Sequence, residues 1–241
     1  MKLLIALLAA VLMMAGLPQH AKAEVVLNDW CVNVNGDSGT VCNNPYVGPT
    51  VATSGASSID VSAFDYTLSP GANTLGTITV TLGAAGYASV YMDYDIDFAG
   101  YGSFQDYGTV GIGAPPGFGW ELDDPNVSNI FPDFAANTLA NTNNVGTAVI
   151  PATPPVTICC DVSWALGVGG LSSGSTVTFS VSDTAPGGFY LQQTNADTGD
   201  SIYLSAAVTS PLSSVPEPST LILLIPVGAV LAIRKKFQAA R

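Results

Sequence analysis

The chain has 241 residues and a formal net charge of −12, which comes from six Lys and Arg, 18 Asp and Glu and one His. Every basic side chain lies near one of the two ends, at Lys2, His20, Lys22, Arg234, Lys235, Lys236 and Arg241. The body, residues 24–214, therefore holds 17 of the 18 acidic residues and no Lys, Arg or His. This composition excludes nucleic-acid binding, which needs cations against phosphate, and catalysis or metal binding through histidine. It also excludes phosphoryl transfer that depends on Lys or Arg.

The first 23 residues have the layout of a secretory signal peptide. Lys2 supplies a positive start, residues 3–17 are almost wholly apolar, and Ala21-Lys22-Ala23 has the small-x-small pattern of a signal peptidase site. A buried or membrane helix is the alternative reading of this segment, but the apolar run is short for a bilayer. We therefore expect signal peptidase to remove residues 1–23 during export.

Apolar and polar residues alternate with a period of two in much of the body, which predicts β-strands. Such patterns occupy residues 77–82, 90–98, 163–168, 176–182, 188–193 and 202–208. Clusters of Gly, Pro, Ser and Asn separate them. One short helix is expected after Pro132, through Phe134 and Leu139. The pattern predicts an all-β fold, a single antiparallel, jelly-roll-like β-sandwich over residues 24–214.

The four cysteines can pair in three ways, and an oxidising compartment after export favours disulfides. We expect a Cys31–Cys42 bond, which would close a turn rich in Asn, Gly and Asp. Cys159 and Cys160 would then form a vicinal bond or remain two thiols. The alternative is a cross-link from the 31/42 loop to the 159/160 pair.

Asp93, Asp95 and Asp97 alternate along one predicted strand and therefore share a face. Carboxylate oxygens suit Ca²⁺, so these three residues are the candidate metal ligands; no other cofactor is expected. Side chains two residues apart on a strand are about 6.6 Å apart, so further oxygens would have to come from Asp106, Asp123 or Asp124. The alternative is a solvated strand face whose acids discourage aggregation.

Two other patterns suggest weaker site hypotheses. Glu121 with Asp123 and Asp124 could supply the carboxylate pair of a hydrolase, but we expect a loop after a strand, with Trp120 in the core. Exposed aromatic rings near acids could stack on sugars, or simply pack in the core. The candidate rings are Tyr87, Tyr91, Tyr94, Tyr101 and Tyr107. Thr77, Thr79 and Thr81 form one T-x-T ladder like those of ice-binding surfaces, which need several stacked repeats, so an ordinary strand with its polar side outward is expected.

The C-terminal end combines three parts within residues 215–241. Val215-Pro216-Glu217-Pro218 comes first, an apolar run to Ile233 follows, and Arg234-Lys235-Lys236 opens a basic tail. This arrangement resembles the PEP-CTERM sorting signal of Gram-negative bacteria, with Ser219 where Gly is common. The same tail has been labelled an ice-binding-protein C-terminal domain. The resemblance implies a short transmembrane helix over residues 219–233, a basic tail at 234–241 and recognition by an exosortase.

The body also resembles an uncharacterised group of PEP-CTERM exoproteins, through residues 92–97, 120–125, 163–167, 188–194 and 201–203. Both resemblances imply export across the inner membrane, a transient membrane anchor and a final place at the cell surface or outside the cell. We expect a non-enzymatic structural or adhesive protein of the extracellular matrix. The alternative functions are a calcium-assisted module that binds exopolysaccharide, and a hydrolase that uses carboxylates alone.

Overall fold

A computed structural model describes residues 25–35, 41–43, 57–64, 75–96, 106–124, 129–145, 162–196 and 198–211. The predicted signal peptide and the sorting signal over residues 215–241 lie outside these ranges, as do Asp97, Tyr101, Cys159 and Cys160. Every element of secondary structure given below belongs to the first of the two units, Met1–Ser210 and Pro211–Arg241, into which the chain divides.

Within the described ranges the chain forms twelve strands and one short helix. The elements in chain order are β1 Val25–Val34, β2 Val41–Asn43, β3 Ser58–Phe64, β4 Gly76–Thr81, β5 Gly86–Ile96, β6 Asp106–Val110, β7 Phe118–Asp123, α1 Ile130–Ala136, β8 Thr142–Asn143, β9 Val162–Leu171, β10 Thr176–Ser182, β11 Leu191–Asn195 and β12 Ser201–Thr209.

The described strands lie in two sheets of six. Sheet A has the order β2-β1-β5-β9-β7-β8, and sheet B has the order β3-β4-β10-β12-β11-β6. All pairs are antiparallel except the short pair β7 and β8. This confirms the predicted all-β, sandwich-like fold; the jelly-roll-like chain path stays a prediction.

Alternation along the strands builds one core from both sheets. Ile78 and Val80 of β4 and Phe179 of β10 face inward from sheet B, and Tyr94 of β5 and Trp164 of β9 face inward from sheet A. The rings of Tyr94 and Trp164 are 5.4 Å apart between centroids. Since burial of apolar surface dominates folding, these inward faces decide which side of each strand is exposed.

Helix α1 covers part of the outer face of sheet A. Its buried residues Ile130 and Phe134 pack against Cys31, Tyr91 and Ala165, which point away from the main core. Asn33 ties the helix to β1, because its Nδ2 donates to the carbonyl oxygens of Phe134 at 3.1 Å and Ala135 at 2.9 Å.

The helix limits differ from the prediction. The helix begins at Ile130, so that Pro132 lies in its first turn, where a missing N–H costs little. It ends at Ala136 rather than near Leu139, because Asn137 adopts a left-handed conformation with φ of 54°. No helix in the described part of the chain is both long and apolar enough to cross a bilayer.

Candidate functional site

The predicted calcium ligands Asp93 and Asp95 lie on the outward face of β5. Their neighbours Met92, Tyr94 and Ile96 alternate with them and are buried in the core, as the sequence predicted. Asp97, the third predicted ligand, lies outside the described residues.

Across the sheet, Asp93 belongs to a row of polar residues. It is opposite Asp29 of β1 on one side and Ser163 of β9 on the other. Ser163 is in turn opposite Asp123 of β7. Four neighbouring strands therefore contribute three carboxylates and one hydroxyl to a single row.

Burial makes ionisation of this row costly. It raises the pKa of Asp93 to about 7, and the charges of Asp29, Asp95 and Asp124 add to the effect, while a hydrogen bond from Ser163 opposes it. Burial also raises the pKa of Asp29, against a hydrogen bond from the backbone of Trp30. Oδ1 of Asp93 is buried and has no hydrogen-bond partner among the described residues. The row can therefore hold a proton or attract a cation.

Of the other residues suggested as calcium ligands, Asp123 lies in the row and Asp124 is near enough for its charge to raise the pKa of Asp93. Asp123 accepts hydrogen bonds from Nδ2 of Asn144 at 2.7 Å and from the N–H of Asp124 at 2.8 Å. Asp106 points into the interior of the sandwich. In the ranges that the structure describes, no group of three or more His, Cys, Asp or Glu has metal-binding geometry, and Ca²⁺ binding stays a prediction.

The segment that contains Glu121 is a strand and not the loop expected from the sequence. Glu121 lies within β7 and is buried, and its Oε1 accepts a hydrogen bond from the N–H of Ala140 at 2.6 Å. Burial raises its pKa, and the bond from Ala140 opposes the shift. Trp120 is half-buried and packs against the core. The carboxylate of Glu121 thus holds the chain after α1 against β7.

The predicted sugar-stacking tyrosines are separated by the fold. Tyr94 lies between the sheets and Tyr91 lies under α1, so neither ring is available to a ligand. The hydroxyl of Tyr87 accepts a hydrogen bond from Asn33 at 3.3 Å. Tyr107 is half-buried on the outward face of β6, and Tyr101 lies outside the described residues.

The outward face of sheet B is rich in hydroxyl groups, and we call it the hydroxyl face. Thr79 and Thr81 of β4 are opposite Thr178 and Thr176 of β10, with Oγ1 atoms 3.5 and 3.2 Å apart. The T-x-T pattern therefore occupies two neighbouring strands, whereas the sequence predicts a single ladder. Among the described strands of this sheet, Asp60 is the one charged residue on the outward side.

A cavity of about 240 Å³ opens at one end of the sandwich, and we call it the end groove. It lies where β1, β4 and β12 begin and where β5 and β10 end. Buried apolar residues, Val25, Ile96 and Ile202, form its floor. Of the other lining residues, Asp183 and Gly199 are exposed, and Leu75, Asp200, Ser201 and Tyr203 are half-buried.

A buried polar network supports the floor of the end groove. Oδ2 of Asp106 accepts hydrogen bonds from Nε2 of Gln193 at 2.6 Å and from the N–H of Ile96 at 3.2 Å. Its Oδ1 accepts from Nδ2 of Asn195 at 3.0 Å. Gln193 also donates to the carbonyl of Tyr94, and Asn195 to that of Ile96. Burial raises the pKa of Asp106 to about 6, against these hydrogen bonds.

The same network positions the turn between β11 and β12. Oδ1 of Asn195 accepts from the N–H of Thr198 at 3.0 Å, and the N–H of Asn195 donates to the carbonyl of Asp200 at 3.0 Å. The N–H of Gly199 donates to the carbonyl of Asn195 at 2.8 Å. Asp106 therefore helps to fix the position of the turn that contains Asp200, because it is hydrogen-bonded to Asn195.

The sequence does not predict the end groove. Residues 195–200 are rich in Asn, Asp and Gly, and this composition predicts a turn. Its position beside Asp183 depends on the pairing of β10 with β12, in which Ser182 is opposite Tyr203. Local patterns do not encode that pairing.

The predicted disulfide between Cys31 and Cys42 is confirmed. The two residues are opposite each other on β1 and β2, and the S–S distance is 2.02 Å.

No protein-family model, curated protein or solved structure matches this chain. What the protein does must therefore be inferred from the residues above.

Proposed function

We propose that this chain is an exported, non-enzymatic protein of the surface or extracellular matrix of a Gram-negative bacterium, with a structural or adhesive role. The hydroxyl face carries this proposal. It extends over neighbouring strands of one sheet and offers hydrogen-bond donors and acceptors on Thr79, Thr178 and the residues around them. In the described strands of this sheet, Asp60 is the one charged residue that faces outward. Such a surface suits neutral, hydroxyl-rich polymers such as polysaccharides.

Three further features support export. The Cys31–Cys42 bond is of the kind that persists in oxidising compartments. The first 23 residues have a signal-peptide layout, and residues 215–241 resemble an exosortase sorting signal. We propose signal peptidase and an exosortase as partners, with the helix over residues 219–233 as a membrane anchor during sorting.

Production of the full chain in a Gram-negative host tests the export step. We expect a mature N-terminus at Glu24 and, when an exosortase is present, loss of the C-terminal tail, both read by mass spectrometry of the intact protein. A Glu217→Ala variant should keep the tail. An unprocessed chain in the cytosol would contradict the proposal.

Retention on matrix polysaccharide tests the adhesive role. Thr79→Glu places a charge on the hydroxyl face and should reduce retention of the protein by at least a few-fold. Ile112→Glu adds the same charge at a residue that is 69% exposed and outside the strands of sheet B, so it should leave retention unchanged. Equal loss in both variants would mean that the hydroxyl face does not make the contact.

A second candidate function is that of a calcium-assisted carbohydrate-binding module. The observation that favours it concerns Asp93. The nearby negative charges of Asp29, Asp95 and Asp124 raise its pKa. A bound cation would relieve that repulsion.

Calcium binding has a direct test. Millimolar Ca²⁺ should raise the Tm of the full chain, and Asp95→Asn should reduce the gain. Asp60→Asn removes the same charge from sheet B and should not reduce it. If the Tm of the unmodified chain does not change with Ca²⁺, the calcium hypothesis fails.

A further inference from the structure

The hydroxyl face carries a pair of aromatic rings, those of Tyr203 on β12 and of Tyr190, the residue before β11. Tyr203 points outward, since its neighbours Ile202 and Leu204 are buried in the core. The two rings meet edge to face, with centroids 5.4 Å apart, so both lie on the same side of sheet B. Both residues are half-buried. Neither is one of the tyrosines that the sequence suggested for sugar stacking.

The position of the Tyr190 ring depends on Gly111, the residue after β6. The N–H of Gly111 donates to the carbonyl of Tyr190 at 3.0 Å. A Cβ atom at residue 111 would lie 2.6 Å from both Cε1 and Cζ of the ring. Any side chain there would therefore push the ring away from its place beside Tyr203.

A hydrogen-bonded polar cluster lies next to the aromatic pair. Gln192 of β11 is directly opposite Tyr203, and its Oε1 accepts a hydrogen bond from Oγ1 of Thr109 at 3.1 Å. Its Nε2 donates to Oγ1 of Thr194 at 2.9 Å and to Oγ of Ser201 at 3.1 Å. The amide is thus fixed in orientation. Thr109 uses its proton in the bond to Gln192, so its oxygen keeps two lone pairs for a ligand.

Charge narrows the class of ligand. The two rings and the polar cluster are uncharged, in a body that holds 17 acids and no Lys, Arg or His. Two of these acids border the patch. Ser182 is opposite Tyr203 and is followed by Asp183, and Asp200 precedes Ser201. An anionic ligand would be repelled here. A neutral sugar has C–H groups that pack on an aromatic ring and hydroxyl groups that bond to amides and hydroxyls.

We propose that Tyr203, Tyr190, Gln192 and Thr109 form a subsite for a neutral pyranose unit with equatorial hydroxyls, of which β-linked glucose is the type. Equatorial hydroxyls leave the C–H groups on both ring faces free. The ring of Tyr203 packs on one such face, and Thr109 and Gln192 accept hydrogen bonds from the sugar hydroxyls. This inference rests on the proposed contact of the hydroxyl face with polysaccharide, and it locates the contact on β12, β11 and β6.

Titration of the full chain, purified in mild detergent at low salt, with cellotetraose tests the inference. Tetraglucuronate with the same linkage is the matched ligand, since it differs by a carboxylate at C6 of each unit. We expect millimolar binding of cellotetraose by calorimetry. Tetraglucuronate should bind at least about fivefold more weakly, because like charges near a surface repel. A salt concentration of 0.5 M should reduce this difference.

Substitutions at two glycines localise the subsite. Gly111→Ala displaces the ring of Tyr190 and should weaken cellotetraose binding by about threefold or more. The Tm should change little, because the clash is with the far end of one side chain. Gly113→Ala is the matched control, since a Cβ there meets no atom within 4 Å, and it should leave binding unchanged.

Substitutions of Tyr203 test the ring itself. Tyr203→Ala should weaken cellotetraose binding by about fivefold or more, whereas Tyr203→Phe keeps the ring and should stay within about twofold of the unmodified chain. Phe131→Ala removes an exposed ring from α1 and should have no effect on binding. No binding of cellotetraose, equally tight binding of tetraglucuronate, or equal effects of Gly111→Ala and Gly113→Ala would overturn the inference.

Retention on matrix polysaccharide separates this inference from the proposed function. If the unmodified chain and Tyr203→Ala are retained equally, the adhesive role stands and the subsite is wrong. If the unmodified chain binds cellotetraose through Tyr203 but is not retained on matrix polysaccharide, the subsite stands and the adhesive role fails.

Discussion

Asp93 shows how one side chain can set the pH dependence of the whole fold. Its pKa of about 7 lies well above the ordinary value of 3.8, chiefly because of burial. The folded protein therefore binds a proton at this residue more tightly than the unfolded chain does. The stabilisation that follows is complete below about pH 4 and is lost as the pH rises towards 7.

We predict that Asp93→Asn removes most of this pH dependence. At pH 8 the variant should be more stable than the unmodified chain, by on the order of 2 kcal/mol, because no buried charge has to be accommodated. Urea unfolding at several pH values measures the change. Asp106, whose pKa is about 6, should still make the free energy of unfolding fall as the pH rises, by a smaller amount and only up to about pH 6. A variant with the same loss of stability between pH 4 and pH 7 would show that Asp93 does not titrate in this range.

The face on which Asp93 lies was predictable from alternation, but its partners were not. Alternation of apolar and polar residues predicts that Met92, Tyr94 and Ile96 lie in the core and that Asp93 faces outward, and the structure has this arrangement. The position of Asp29 opposite Asp93 requires β1 to pair with β5, two strands that are far apart in the sequence. The raised pKa thus comes from sheet order, which local patterns do not contain.

The fully buried ring of Phe134 packs helix α1 against sheet A. Phe134 is fully buried against Cys31, Tyr91 and Ala165, whereas Phe131, three residues earlier, is 41% exposed. We predict that Phe134→Ala lowers the free energy of unfolding by about 3–4 kcal/mol, since truncation of a buried aromatic ring leaves a cavity. Phe131→Ala should cost about 1 kcal/mol, because this ring keeps much of its contact with water.

Chemical denaturation of the two variants measures the difference. Equal losses of stability would mean that the helix is held by its backbone bonds to Asn33 more than by the ring of Phe134.

Elements were predictable where one face of a strand is apolar throughout. Strands β4 and β10 alternate without interruption and were predicted within a residue of their limits. The sequence does not predict strand β7, because Glu121 and Asp123 give it the composition of a loop. The fold accommodates both, since Leu122 between them fills the core and Glu121 is bonded to Ala140. The limits of α1 differ from the prediction because Pro132 lies inside the first turn of the helix and Asn137 ends it.

At the scale of the whole molecule, like charges dominate the electrostatics. The body has 17 acids and no basic side chain, so folding brings together charges that the unfolded chain keeps further apart. We predict that the Tm rises by several degrees between 10 mM and 0.5 M NaCl, because the screening length falls from about 30 Å to a few ångströms. Differential scanning calorimetry measures this, with a neutral osmolyte as the control. A Tm that falls with salt would contradict the prediction.

The class of fold followed from composition and alternation, whereas the end groove did not. Strand ends from both sheets meet there, those of β1 and β5 from sheet A and those of β4, β10 and β12 from sheet B. Contacts between distant segments decide such a site.

The hydrogen bonds of Asp106 join β5 of sheet A to β6 and β11 of sheet B. A force that slides one sheet along the other would have to break the bonds of β5 to Asp106 at 3.2 Å, to Gln193 at 2.8 Å and to Asn195 at 3.0 Å. These bonds would break after a very small displacement, since hydrogen bonds weaken steeply with distance and misalignment. Apolar side chains can slip further, because their attraction has no preferred direction. Under mechanical load we therefore expect shear to begin at the opposite end of the molecule.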